Sequence, residues 1–239
     1  MILNWYLESY RWKISIHSFQ PFSIKEAAMD VLRGLAMNWI MPFTSGDLIA
    51  RLTGKENKRL VGIAIALNRA IMLFITCVFG CYGVISFADT SSHRPFLGIF
   101  LLILTSIVFF ILIRNYSLKK FQFPLLERNR VMVIIGISIL RYAIFTLQFF
   151  IILKVFLPDL SNQILLSGLG WMFFFKSVIP SLFGGLGLRE ASAMIFFEKF
   201  VPNMSHVLFP IFLMWMINNA LPSFLGALLV WKLKLKIAG

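Results

Sequence analysis

The chain has 239 residues, of which 59% are hydrophobic, and its mean hydropathy is +0.84. Soluble domains are usually about 45–50% apolar, so this composition excludes an ordinary soluble protein and predicts an all-α, polytopic integral membrane bundle that forms a single domain. The formal net charge is +13. Because no zinc finger or other nucleic-acid-binding motif accompanies it, we attribute the charge to basic cytoplasmic segments and to anionic lipid, and we expect no nucleic-acid partner.

The N-terminal part of the chain predicts two helices that do not cross the membrane. Met1–Lys13 is too short to span a bilayer, and we interpret it as the last part of a membrane helix whose start is missing. Ser23 and Glu26 have the spacing of a capping box, which begins an amphipathic helix. Such a helix lies at the membrane interface or faces a cavity, and the sequence leaves both alternatives open.

That amphipathic helix runs into a break in the chain. Pro42 and Gly46 interrupt it, and a second helical piece starts at about Asp47 and continues through Arg51. Proline removes a helical hydrogen bond and glycine weakens a helix. We therefore predict a first Pro/Gly-broken, re-entrant hairpin over about residues 23–59.

Three further apolar segments are long enough to cross a bilayer, which needs about 20 residues. They predict spanning helices over about residues 60–88, 95–113 and 131–153. A fourth apolar segment predicts a final helix over about residues 203–231. We expect this helix to be kinked at Pro222, because proline interrupts the hydrogen bonds of a helix.

A second broken hairpin is predicted before the final helix, at about residues 160–199. It holds an adjacent charged pair, Arg189 and Glu190, and four helix breakers: Pro180, Gly184, Gly185 and Gly187. A lipid-exposed helix should contain neither charges nor a broken backbone, since both are costly in hydrocarbon. This stretch is therefore the first candidate for a functional site.

The distribution of charge predicts how these elements are oriented. Residues 51–59, 114–130 and 232–239 carry an excess of lysine and arginine, whereas the other turns are balanced. Basic segments stay in the cytoplasm, so we expect a multi-pass membrane protein with a cytoplasmic C-terminus. The number of crossings then requires the two hairpins to enter the membrane from opposite faces.

The two hairpins also share a sequence pattern, Pro-x3-Gly-x4-Arg. It is formed by Pro42, Gly46 and Arg51 in the first hairpin and by Pro180, Gly184 and Arg189 in the second. Broken elements in corresponding positions with opposite orientations are typical of inverted-repeat transporters with a site near the bilayer midplane. The alternative is chance, because three matches in an apolar chain that contains glycine and proline are not rare.

Both breaks predict a site for an anion. A helix that restarts inside a membrane points free N–H groups and the positive end of its dipole at the break. The anion available there is a lipid phosphate or a carboxylate on a head group, and arginine holds two phosphate oxygens at once. Arg189 is the foremost candidate. The residues predicted to bind the head group are Asp47, Arg51, Arg69, Arg141, Arg189 and Glu190.

The charged residues of the hairpins have alternative roles. Arg189 and Glu190 either bind the head group or only lock their hairpin to a neighbour. Glu190 would pair with Arg51 or Arg69, or meet a cationic head group. Asp47 and Arg51 are four residues apart on one helix face, where they form a local ion pair or the two ends of a zwitterion site.

Polar residues inside the predicted spanning helices also have alternatives. Arg69 either binds a ligand or snorkels toward the basic end of its helix. Arg141 lies near the middle of its helix, where a lone arginine should face the protein interior and find a partner. Asn218 and Asn219, in the final helix, are expected to join helices more than to bind a ligand.

No pattern points to catalysis, a metal or a cofactor. Cys77 and Cys81 lie four residues apart inside an apolar helix, and we interpret them as small packing residues. The histidines are far apart in sequence, and the chain contains neither a P-loop nor a nucleophile elbow. We expect no enzyme activity and no cofactor; an intramembrane enzyme that uses Glu190 and Asp47 is the weakest alternative.

Two motifs carry a resemblance to a known family. The stretches Ile179-Pro-Ser-Leu-Phe-Gly-Gly-Leu-Gly-Leu-Arg-Glu-Ala191 and Asn38–Asp47, the latter followed by Arg51, resemble motifs of the lysylphosphatidylglycerol synthase transmembrane-region family. Asn68 and Arg69 resemble that family's next acid–arginine pair. The resemblance covers nearly the whole chain, and it implies a flippase-like membrane protein.

The chain departs from the family pattern at several points. Asp47 stands where the family usually has glutamate, and Asn68 stands where it has the acid before Arg69, so an expected ion pair is lost. The loop Pro180–Gly184 has one extra residue, the N-terminus lacks a full spanning helix, and the aminoacyl-transferase domain of the synthases is absent. The resemblance therefore implies lipid translocation and not lipid aminoacylation.

Two functions of different classes follow as expectations. The first is an integral membrane lipid translocase of the bacterial inner (plasma) membrane that handles an anionic or aminoacylated phospholipid or a polyprenyl-phosphate lipid. The alternative is a non-catalytic membrane partner of a glycosyltransferase or another envelope-biosynthesis enzyme, which binds a lipid-linked substrate without moving it. Membrane lipids are the expected partners in both cases, and a homo-oligomer stays open.

Overall fold

The computed structural model describes residues 1–17, 19–41, 45–88, 128–179 and 185–228, and all regular elements within them are helices. They are α1 (Ile2–His17), α2 (Ile24–Ile40), α3 (Ser45–Leu52), α4 (Lys58–Ala88), α5 (Arg128–Phe156), α6 (Asn162–Val178), α7 (Leu188–Phe197) and α8 (Ser205–Trp215). The predicted all-α class is confirmed for this part of the chain. The predicted helix over residues 95–113 lies outside it, as do the breaks at Pro42, Pro180 and Gly184.

Within the described residues, three helical segments are long and apolar enough to cross a membrane: Lys58–Ile85, Asn129–Phe156 and Ser205–Leu228. Only 22% of the most apolar part of the second segment is buried inside the protein. Its outward side chains include Ile151 and Val155, which are 54% and 72% exposed. An apolar surface of this kind is costly in water and favourable in lipid, so these helices fit a membrane protein.

The final helix has an irregular turn just before Pro222, where a kink was predicted. Beyond Trp215 the helix forms a π-helical turn, Met216–Ala220, and then continues as α-helix to Leu228. Pro222 has no N–H to donate to the carbonyl group of Asn218, one turn earlier. The π-helical turn lies at that position, so the irregularity precedes the proline instead of centring on it.

Two pairs of helices fold back on themselves, in the chain ranges 23–59 and 160–199. In the first pair, α3 returns along α2 so closely that a Cβ atom added to Gly46 would lie 2.6 Å from the backbone nitrogen of Asn38. In the second pair, α7 returns along α6, and Trp171 Nε1 donates a hydrogen bond to the carbonyl oxygen of Ser192 at 2.9 Å. We call these pairs the first and the second hairpin.

Local capping fixes where α2 and α7 begin. Ser23 Oγ accepts a hydrogen bond from the Glu26 N–H at 3.2 Å, and the Ser23 N–H donates to the Glu26 carboxylate at 2.8 Å. The capping box predicted from the sequence is confirmed. The bond from the Ser23 backbone lowers the pKa of Glu26 below its ordinary value. At α7, the Gly187 N–H donates to the Glu190 carboxylate at 2.7 Å.

Small residues let α4 approach α6, and this contact organises the bundle. A Cβ atom added to Gly83 of α4 would lie 2.8 Å from the carbonyl carbon of Gly170 on α6. Such close backbone contacts are typical of helices packed in membranes. The main apolar core lies around this contact, between α4, α5, α6, α7 and α8. A smaller apolar cluster around Trp12 joins α1, α2 and α4.

Candidate functional site

A buried carboxylate on α1 binds arginines from three helices. Glu8 is 8% exposed, and its oxygens accept hydrogen bonds from Arg11 Nη2 at 2.6 Å and from Arg51 Nη2 at 2.8 Å. Arg141 Nη1 donates to the same carboxylate. Arg11 belongs to α1, Arg51 to α3 and Arg141 to α5, so a single carboxylate connects elements that are far apart in sequence. A carboxylate can be buried at tolerable cost when it is paired in this way.

Asp47, in the first turn of α3, extends this cluster. Its Oδ1 accepts a hydrogen bond from Arg51 Nε at 2.7 Å, and its Oδ2 lies 3.3 Å from Arg69 Nη2. Its backbone N–H donates to Asn38 Oδ1 at 2.8 Å. Asp47 and Arg51 therefore form the i,i+4 ion pair that was one of the two alternatives for them. A Cβ atom on Gly34 would lie 3.2 Å from the Asp47 Cα, so α2 makes room for Asp47 by carrying glycine there.

Additional contacts orient the arginines. Arg141 Nε donates to Asn4 Oδ1 at 2.9 Å, and Arg11 Nη1 donates to Ser138 Oγ at 3.0 Å. The guanidinium carbon of Arg51 lies 4.7 Å from the centre of the Trp12 ring, a cation–π geometry. Arg141 thus faces the protein interior and has partners there, as expected of an arginine near the middle of a membrane helix.

The cluster carries an excess of positive charge. It joins four guanidinium groups to two carboxylates: Arg11, Arg51, Arg69 and Arg141 with Glu8 and Asp47. Two positive charges are therefore left without a matching carboxylate inside the cluster. A site of this kind favours an anion, because an opposite charge stabilises buried cations.

A cavity of about 320 Å³ lies beside the cluster, and both hairpins contribute to it. Asn38 and Asp47 line it from either side of the break in the first hairpin, and Lys176 and Ser177 line it from the last turn of α6, next to the second break. Asn218 lines it from the π-helical turn. Described residues that flank the two breaks therefore meet the irregular turn of the final helix at one place. Ligand pockets range over roughly 300–1,000 Å³, so this one is at the small end.

Arg189 and Glu190, the foremost sequence candidates, do not line this cavity. Arg189 is fully buried, and none of its three guanidinium nitrogens has a hydrogen-bond partner in the described part of the chain. Glu190 caps the start of α7 through Gly187, and its other oxygen likewise has no partner among the described residues. Glu190 pairs with neither Arg51 nor Arg69.

At the described glycines of the predicted breaks, the backbone geometry explains why glycine is required. Gly46 lies against α2 without room for a side chain. Gly185 and Gly187 both have φ near +86°, a conformation that residues with a Cβ atom rarely adopt. Pro42, Pro180 and Gly184 lie outside the described residues, so their part in the breaks stays a prediction.

Several residues of the site were missed from the sequence. Glu8 is the most important, and its i,i+3 spacing to Arg11 was a signal that could have drawn attention to it. Lys176 was not among the predicted site residues, yet it lines the cavity. Asn218 was expected to join helices, but its side chain donates to the Met214 carbonyl oxygen of its own helix at 3.1 Å. Like Asn219, it faces the cavity.

No family model, no curated protein and no solved structure matches this chain. Among the described residues, no group of three or more histidine, cysteine or acidic side chains could hold a metal ion. The functional interpretation therefore depends on the geometry and charge of the cavity.

Proposed function

We propose that the protein is a flippase-like lipid translocase of the bacterial inner membrane, and that the lipid head group occupies the cavity between the two hairpins. The observation that carries this proposal is the convergence of both hairpins on one positively charged cavity. Asn38 and Asp47 line it from the first hairpin, and Lys176 lines it from the second. A chain with this arrangement can hold an anionic group at a depth where lipid alone cannot.

The physical basis is the cost of moving a charged head group through hydrocarbon. A phosphate that leaves water without new partners pays a large desolvation penalty. Arg51 and Arg141 line the cavity, and Glu8 holds both in place. Their planar guanidinium groups match the oxygens of a phosphate, so the cavity replaces the lost hydration with fixed partners.

The finer architecture is part of the same proposal. The two hairpins are re-entrant halves of an inverted repeat, they enter from opposite faces, and the C-terminus is cytoplasmic. Three observations support it: both helix pairs fold back on themselves, the pattern Pro-x3-Gly-x4-Arg occurs in each, and its arginines, Arg51 and Arg189, are 7% and 0% exposed. The resemblance to the lysylphosphatidylglycerol synthase transmembrane-region family supports the same function.

Arg189 has a role during movement in this proposal. In the resting structure its guanidinium has no hydrogen-bond partner among the described residues. An unpaired buried charge is costly, and a phosphate that travels toward the start of α7 would supply the missing partner. Arg51 holds an equivalent place in the first hairpin, where Glu8 and Asp47 are its partners at rest.

The test is lipid movement in vesicles that contain the purified protein. A phospholipid with a fluorescent acyl chain is bleached from outside by dithionite, and the rate at which inner-leaflet lipid becomes accessible is measured. We expect Arg141→Gln to slow movement about ten- to a hundredfold, because a charge-assisted hydrogen bond is worth roughly 1.5–3 kcal/mol. Arg33→Gln, a substitution on α2 away from the cavity, should leave the rate unchanged.

Two outcomes would contradict the proposal. Wild-type vesicles that move lipid no faster than protein-free vesicles would reject translocation. Co-purification of lipid with such an inactive protein would then favour the alternative function, a membrane partner that binds a lipid-linked substrate. Unchanged movement in a well-folded Arg141→Gln variant would reject the cavity as the path.

A further inference from the structure

We infer that the head group bound in this cavity is a phosphate that carries hydroxyl groups, as a glycerol or a single sugar does, and that it is not a cationic aminoacylated head group. The inference rests on the proposed function and narrows its lipid. Some charged and polar atoms of the cavity wall are already engaged in hydrogen bonds, whereas others are available to a ligand.

Both carboxylates that line the cavity are occupied by arginines. Glu8 is bound by three guanidinium groups and Asp47 by two. A cationic head group needs a carboxylate that can pair with it, since an ammonium group is costly to bury alone. The wall also includes Lys176, which repels a second cation. An aminoacylated phospholipid therefore fits this site poorly.

The cationic part of the wall fits a phosphate diester. Arg51, Arg141 and Lys176 all line the cavity. Arg51 and Arg141 approach the cavity from the side of α1 and the first hairpin, and Lys176 approaches it from the second hairpin. A phosphate between them would meet donors on both sides, and its negative charge would offset the positive excess of the cluster.

Four carboxamide side chains add a second kind of recognition: Asn4, Asn38, Asn218 and Asn219. The oxygens of Asn4 and Asn38 already accept hydrogen bonds, from Arg141 Nε and from the Asp47 N–H. Within the described part of the chain, their amide NH₂ groups have no acceptor and are left as donors. Asn218 is the opposite case, because its NH₂ group donates to Met214 while its buried oxygen has no partner among the described residues.

The wall thus offers amide donors next to the cations, and the acceptor Asn218 Oδ1, which has no partner among the described residues, lies buried behind it. Phosphate oxygens only accept hydrogen bonds and an ammonium group only donates them, whereas a hydroxyl group does both. Hydroxyl groups on the alcohol that is esterified to the phosphate would therefore satisfy Asn218 and the amide donors together. A buried polar atom without a partner is costly, and Asn218 Oδ1 is closed to the cavity at rest, so the gain on binding is largest for a hydroxyl group that the Asn218 side chain turns to meet.

The volume of the cavity and its apolar surface agree with a head group that consists of one glycerol or one sugar besides the phosphate. The cavity of about 320 Å³ has room for a head group and not for acyl chains. Phe145 and Phe173 form an aromatic part of the wall, with ring centres 5.3 Å apart. Aromatic rings pack well against the C–H groups of a glycerol or a sugar ring.

The experiment compares lipids of equal fluorescence in vesicles that contain the full chain. Phosphatidylglycerol is matched with phosphatidylpropanol, which has the same phosphate charge and three-carbon group but no hydroxyl groups. We expect phosphatidylglycerol to move about fivefold faster or more, because each net hydrogen bond contributes roughly a 2- to 12-fold factor. Lysylphosphatidylglycerol should be the slowest. A fluorescent glucosyl polyprenyl phosphate forms a fourth arm. Whether it or phosphatidylglycerol moves faster shows whether the natural head group carries a sugar or a glycerol.

Variants connect that preference to the wall. Asn218→Leu should abolish the preference, so that phosphatidylglycerol and phosphatidylpropanol move at the same rate. Asn219→Leu is the second variant if the first does not fold. Asn162→Leu, at the exposed start of α6, is the matched control and should change neither rate.

The failure of this inference and the failure of the proposed function give different results. Equal rates for phosphatidylglycerol and phosphatidylpropanol, or a preference for lysylphosphatidylglycerol, would overturn the inference while translocation stands. No movement of any lipid would overturn translocation. The inference is then decided by native mass spectrometry of the purified protein, where equal retention of phosphatidylglycerol and phosphatidylpropanol would overturn it and preferential retention of phosphatidylglycerol would support it.

Discussion

Arg51 of α3 donates a hydrogen bond to Glu8 of α1 at 2.8 Å, and their side chains are only 9% and 10% exposed. The same guanidinium binds Asp47 at 2.7 Å. A single arginine therefore connects the N-terminal helix to the first hairpin. Any movement of that hairpin relative to α1 must break this ion pair or exchange Glu8 for another anion, and a lipid phosphate is the anion that a translocase would bring.

The first prediction concerns the stability that Glu8 provides. We expect Glu8→Gln to lower the free energy of unfolding by about 3 kcal/mol, because removing one partner of a buried ion pair leaves uncompensated charge and typically costs about 3–5 kcal/mol. Unfolding in detergent micelles, followed by tryptophan fluorescence, measures the change. Glu198→Gln is the matched control: its side chain is exposed, so we expect a change within about 0.5 kcal/mol. Equal stability of the two variants would contradict the central role of Glu8.

The second prediction separates the two roles considered for Arg189. The guanidinium of Arg189 has no hydrogen-bond partner among the described residues. If it is kept for a ligand, Arg189→Met should raise the unfolding temperature while it slows lipid movement. An apolar side chain of similar size avoids the cost of a buried charge, and such replacements can stabilise by about 1–4 kcal/mol. Arg141→Met is the comparison, and it should lower both stability and movement because Arg141 is paired with Glu8. A loss of stability in Arg189→Met would favour the alternative, in which Arg189 only locks the hairpin.

The helices could be predicted from the sequence because they depend on local patterns. A long apolar run that contains one charged residue, Arg69, specified α4. The helix begins at Lys58, two residues before the predicted start. The capping box at Ser23 specified the start of α2. The π-helical turn at Met216–Ala220 was not predicted, because the proline pattern indicates an interruption without indicating its form.

The charged cluster could be predicted only in part. Asp47 and Arg51 are neighbours on one helix face, so their pairing was among the alternatives. Arg51 and Arg141 both bind Glu8, although they are separated from it in sequence by 43 and 133 positions. No spacing rule extends over such separations. Asn68 was expected to have lost an ion pair with Arg69. Its side chain instead donates to Ser15 Oγ at 2.9 Å, a contact that depends on how α1 packs on α4.

The third prediction tests the close packing of α4 on α6. We expect Gly83→Ala to destabilise the protein by about 1–3 kcal/mol, the usual cost of overpacking a tight interface, since the new Cβ atom would meet the backbone of Gly170. Gly62→Ala on the same helix is the control. Nothing lies within 4 Å of its Cβ position, so we expect no loss, and a gain of up to about 1 kcal/mol from helix propensity. The same unfolding measurement applies, and a neutral Gly83→Ala would contradict the close contact.

The fourth prediction addresses the opposite entry of the two hairpins. Glu56→Cys lies between α3 and α4, and Asn203→Cys lies between α7 and α8; both positions are exposed. Cys77 and Cys81 are buried and would first be replaced by alanine. In intact cells we expect an impermeant maleimide to label Asn203→Cys alone, because the basic residues around Glu56 keep that turn in the cytoplasm.

The control for this labelling is Thr53→Cys, in the same turn as Glu56. It should react only after the inner membrane is permeabilised, as Glu56→Cys should. If both hairpins instead entered from one face, Glu56→Cys and Asn203→Cys would behave alike in intact cells, either both labelled or both protected, and the inverted repeat would be wrong. The cavity would still be lined by Asp47 and Lys176. However, equivalent movements of two related hairpins could no longer open it to the two faces of the membrane. Movement of a head group would then require one hairpin to open the cavity to both sides in turn.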